Sequence, residues 1–141
     1  MGGICTGVVR KYVKGAKVGM GFDHHTVLSL FHILFVAPLF FVIAFFRSEL
    51  PVWAFRTLFV LGLFVLLYHG SRFFLRLAAH SSYAWVNAIH VLIVAPLLIY
   101  IGLEQKEARR PAYEIAIMVG FATLGYHLYS LVYQLNVVRT E

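Results

Sequence analysis

The chain has 141 residues, 61% of them apolar and only 13% charged, with a mean hydropathy of +0.82. Soluble domains run about 45–50% apolar and about 25% charged, so a water-soluble globule is excluded. At about 20 residues per crossing helix the chain can hold at most five or six spans, which leaves no room for a separate soluble catalytic domain.

Twelve Lys and Arg against six Asp and Glu give a net charge of +6. On so apolar a chain the natural partner of that charge is the lipid bilayer with its anionic headgroups, and no nucleic-acid motif is present. The single cysteine, Cys5, cannot form an internal disulfide, which fits a reducing compartment on the N-terminal side.

Residues 1–25 read as a basic, Gly-rich leader. Met1-Gly2-Gly3-Ile4-Cys5-Thr6 matches the myristoylation pattern, with Gly2 as acceptor and Cys5 close enough to be palmitoylated. Acylation together with Arg10, Lys11, Lys14 and Lys17 would hold the leader on an anionic leaflet of a eukaryotic cell, or of a virus growing in one. The alternative is a plain flexible leader.

Four apolar stretches follow, at 26–46, 52–75, 83–103 and 112–135, each long enough to cross a hydrocarbon core about 30 Å thick. The expected fold class is an all-α membrane protein, a four-transmembrane-helix bundle. Short connections at 47–51 and 104–111 predict two helical hairpins, 26–76 and 83–135, joined by residues 77–82 and followed by a tail at 136–141. Pro51 and Pro111 stand at helix starts, where a missing N–H costs little. Seven cations on the N-terminal side against five on the other favour both termini in the cytosol.

A tandem repeat organises the chain. The segment His32-Ile-Leu-Phe-Val-Ala-Pro-Leu39 returns as His90-Val-Leu-Ile-Val-Ala-Pro-Leu97, 58 residues later, and Tyr68-His69 returns as Tyr126-His127. Of the 38 positions from 32 to 69, 13 are identical to their counterparts, Glu49/Glu107 and Gly62/Gly120 included. Two similarly directed hairpins predict a pseudo-two-fold axis along the membrane normal.

The matched positions His32, Val36, Leu39 and Ile43 step along one helix stripe, as do Gly62, Leu66 and His69. These stripes and their mates are expected to face inward, which brings His32, His69, His90 and His127 to one level in the cytoplasmic third. Pro38 and Pro96, six residues past the first histidine of each copy, are expected to kink the helix there. Gly62 and Gly120 are expected at close helix approaches.

An ionisable group inside a membrane is a functional candidate by default. Imidazole is a good axial ligand, and the arrangement is similar in logic to bis-histidine membrane cytochromes, so haem b on pairs of these histidines, serving electron transfer, is the leading expectation. A transition metal on the same four residues is the variant, although no intramembrane carboxylate or thiolate accompanies them. Tyr68 and Tyr126 are candidates for supporting the site. The rival expectations are a structural or assembly protein, in which the histidines only hydrogen-bond helices, and a proton or ion conduit. A homo-oligomer or larger membrane assembly would suit either. His24, His25 and His80 fall at the interface, and no hydrolase or transferase motif is visible.

Overall fold

The computed structural model describes residues 24–139. Gly2, Cys5, Arg10, Lys11, Lys14 and Lys17, on which the lipidation and headgroup expectations rest, lie outside the described residues. All regular structure among the described residues is helical, and four helical segments are long and apolar enough to cross a membrane: His24–Glu49, Val52–Ala78, Ala84–Glu107 and Arg110–Asn136, spans 1 to 4 below. The chain is a multi-pass integral membrane protein, with four spanning helices among the described residues.

The 58-residue repeat is written into the backbone. Span 1 changes from α-helix to the wider π form over His32–Val36, and span 3 does the same over His90–Val94. In each copy the alanine before the proline donates its N–H to the histidine carbonyl five residues back, Ala37 to His32 and Ala95 to His90. The cause is Pro38 or Pro96. A proline has no N–H to give, and its ring collides with the carbonyl four residues earlier unless the turn widens. The expected disruption is therefore a widened turn that begins at each histidine.

Spans 1 and 3 also end alike. Arg47 (φ 48°, ψ −124°) and Gln105 (φ 52°, ψ −121°) occupy matching positions, donate to Ile43 O and Ile101 O, and lead into single 3₁₀ turns. Side chains other than glycine are strained at such positive φ. Gln105→Gly is expected to raise stability by about 1 kcal/mol, read as a shift in the denaturant midpoint of the detergent-solubilised protein.

Spans 1 and 3 supply most of the buried side chains, and Phe40, Ile43, Leu98 and Ile101 form the centre of the core with Phe55 and Leu58 of span 2. The most extensive helix packing runs between the repeats: span 2 against span 3, and span 1 against span 4. Two spans of one repeat are joined by a tight turn yet pack more thinly. Gly62 and Gly120 explain this. A Cβ on Gly62 would lie 2.8 Å from Ile99 Cγ1 of span 3, and one on Gly120 would lie 2.9 Å from Phe41 Cε1 of span 1. The matched glycines therefore make the close approaches expected of them, with a partner from the other repeat in each case. Grooves remain between spans 1 and 2 and between spans 3 and 4.

Candidate functional site

His32 and His90 stand at the first residue of each π segment. Their Nδ1 atoms hydrogen-bond the backbone carbonyl one turn earlier, Leu28 O at 2.8 Å and Val86 O at 2.7 Å. A carbonyl oxygen only accepts, so in both rings Nδ1 carries the proton and donates, and Nε2 is left with its lone pair.

His69 and His127 come from spans 2 and 4 and are held differently. His69 Nδ1–H donates to Asn87 Oδ1 at 3.1 Å, and His127 Nδ1 lies 3.5 Å from Ser29 Oγ. Ser29 and Asn87 are themselves 58 residues apart, and they are the buried polar residues among those described. Each sits three residues before the histidine of its own span and reaches the histidine of the span packed against it. The Asn87 Nδ2 atom is buried without a hydrogen-bond partner, which costs about 1–3 kcal/mol. None of the four Nε2 atoms has a hydrogen-bond partner among the described residues.

The rings form a row across the bundle. His127 stacks on His32 with centroids 4.2 Å apart and planes at 22°, and His69 stacks on His90 at 4.0 Å and 10°. The central neighbours, His32 and His90, meet at 6.4 Å with their planes at 88°. Each stacked pair joins the two spans that pack most closely, and the repeat carries one pair onto the other.

Tyr68 and Tyr126 meet the edges of their neighbours His69 and His127, both at 5.1 Å. Their surroundings differ. Tyr126 lines a cavity of about 540 Å³ between spans 3 and 4. Tyr68 is exposed and stacks on Phe64. The cavity has an apolar wall of Ile93, Val94, Met118 and Val119, and His32, His90 and His127 line it as well. Its volume falls within the range of about 300–1,000 Å³ usual for small-molecule and cofactor sites. His24, His25 and His80 are exposed and stand apart from the row.

Among the described residues no group of three or more His, Cys, Asp or Glu side chains is arranged to hold a metal ion. A porphyrin iron poses a different geometric demand. With metal–nitrogen bonds of about 2 Å and a ring radius of about 1 Å added on each side, two axial imidazoles have centres about 6 Å apart. The stacked pairs, with centroids 4.2 and 4.0 Å apart, are too close to enclose an iron. The 6.4 Å separation of His32 and His90 has the required size.

Sequence reasoning missed Ser29 and Asn87. The signal was present, since both are polar residues inside apolar stretches at the repeat spacing, but their differing identity hid the match. No family model, no curated protein and no solved structure matches the chain.

Proposed function

We propose that the protein is a small membrane cytochrome that carries electrons on haem b, with His32 and His90 as the axial ligands. The observation that carries this reading is the pairing of these two rings. Both have Nδ1 tied to a backbone carbonyl, which fixes the ring and raises the basicity of Nε2, the usual support of a metal-bound imidazole. Both line the 540 Å³ cavity, and their centres are 6.4 Å apart. Haem would supply a one-electron couple. Held by two histidines, it would favour electron transfer over oxygen binding. His69 and His127 would support the pair by stacking on His90 and His32. The seven-to-five distribution of cations favours both termini on the cytosolic side, with Gly2 and Cys5 as acyl acceptors and Arg10, Lys11, Lys14 and Lys17 on the headgroups.

Expression in haem-producing cells, followed by haem quantification and a visible spectrum of the purified protein, tests the reading. One haem per chain, with sharpened bands on reduction, is expected. A colourless protein that takes up no added haem would refute it and favour the structural alternative, for which the bridges His69–Asn87 and His127–Ser29 across packed helices speak. A conduit along the membrane normal has less support, because the rings run across the bundle and the adjoining core is Phe40, Ile43, Leu98 and Ile101.

A further inference from the structure

The two grooves left between the spans of each repeat are related by the 58-residue spacing but differ in chemistry. The groove between spans 1 and 2 has a volume of about 490 Å³ and is lined by Leu39, Val42, Pro51 and Ala54, with Glu49 also in its wall. The groove between spans 3 and 4 measures about 670 Å³ and is lined by Leu97, Tyr100, Arg109 and Ala112 at the matching positions. Val42 has become a tyrosine and Pro51 an arginine.

We propose that the groove between spans 3 and 4 holds one anionic phospholipid, an acyl chain lying along its apolar wall and the phosphate on Arg109. The charge arrangement favours this occupant. Arg110 is ion-paired with Glu114 at 2.8 Å, whereas Arg109 has no ion pair among the described residues. Tyr100 Oη accepts the Arg109 backbone N–H at 3.4 Å, so its own hydroxyl proton is left to donate to a phosphate oxygen. A guanidinium matches a phosphate in charge and fork geometry, and the phenol adds a second donor. The wall is long enough for a chain. Ile93 and Ile115 line both this groove and the 540 Å³ cavity, so the apolar surface runs on from Arg109 toward the level of His90. The related groove between spans 1 and 2 offers a carboxylate instead of a cation and is expected to reject the same lipid.

Native mass spectrometry of the full chain, equilibrated in detergent with equimolar phosphatidylglycerol and phosphatidylcholine of identical acyl chains, tests this site with or without haem present. One phosphatidylglycerol is expected to be retained about fivefold over phosphatidylcholine, the effect of a single cation–headgroup contact. Arg109→Gln should remove the preference, Arg110→Gln should keep it, and Leu92→Trp, which fills the exposed wall of the groove, should lower retention of both lipids. Water-soluble glycerol 3-phosphate should not displace the lipid. Equal retention of the two lipids by the unaltered chain would overturn the proposal, as would equal losses in the two arginine variants, unchanged retention in Leu92→Trp, or displacement by glycerol 3-phosphate.

Discussion

His90→Ala is expected to yield a folded chain that retains no haem through purification, and His32→Ala is expected to do the same. Each removes one of two bonds to the iron, so the loss should exceed the roughly 10–100-fold in affinity seen when only a group that orients a ligand is removed. His69→Ala and His127→Ala should behave differently. Their rings stack on His90 and His32 at 4.0 and 4.2 Å without the separation an axial pair needs. Those variants should keep haem and shift its midpoint potential, because they change the packing and dielectric around an axial ligand and not the ligand itself. Haem content and a redox titration of the four variants separate the two classes. If all four lost haem equally, the division of the row into central ligands and outer stacking partners would be wrong. If the histidines only linked helices, each substitution would cost about 0.6 kcal/mol on average and change no spectrum.

Gly102→Ala should be among the most damaging single-methyl changes in the molecule. A Cβ at this position would lie 2.5 Å from the backbone nitrogen of Phe59 and 2.7 Å from its Cα and Cβ. Backbone cannot swing aside as a side-chain tip can, so spans 2 and 3 must separate along the contact that carries the core. Overpacking of this kind costs about 1–3 kcal/mol, and contact with backbone places Gly102 at the upper end. Gly62→Ala, which meets Ile99 Cγ1 at 2.8 Å and Ile99 N at 2.9 Å, should follow it. Gly70→Ala is the control: nothing lies within 4 Å of its Cβ, and helix propensity favours alanine by up to about 1 kcal/mol. Denaturation of the three variants in detergent should place Gly102→Ala lowest and leave Gly70→Ala at or above the parent.

The contrast between Gly62 and Gly102 marks what a sequence can reveal. Gly62 has an identical mate in Gly120 and stood out through the repeat. Gly102 is matched by Ala44, so the repeat concealed the tighter of the two contacts. The four spans were legible because apolar length fixes them. The partner of each span was not. Short connections say which spans are neighbours in sequence, but Gly62 and Gly120 put the close approaches between the repeats. Pro38 and Pro96 announced a local disruption, and its form, a π turn opening at the histidine, depends on how the displaced carbonyl finds its next donor. Ser29 and Asn87 escaped notice because a hydroxyl and an amide do the same work at matched positions.

Electron paramagnetic resonance of the oxidised, haem-loaded protein bears most directly on the pairing of His32 and His90. Axial imidazoles whose planes cross leave the two iron orbitals that overlap them nearly equal in energy, which spreads the low-spin signal widely. The 88° angle between these rings predicts such a strongly anisotropic low-spin signal. A high-spin signal, a low-spin signal of the narrow type given by parallel imidazoles, or no iron signal from protein exposed to haem would contradict the assignment.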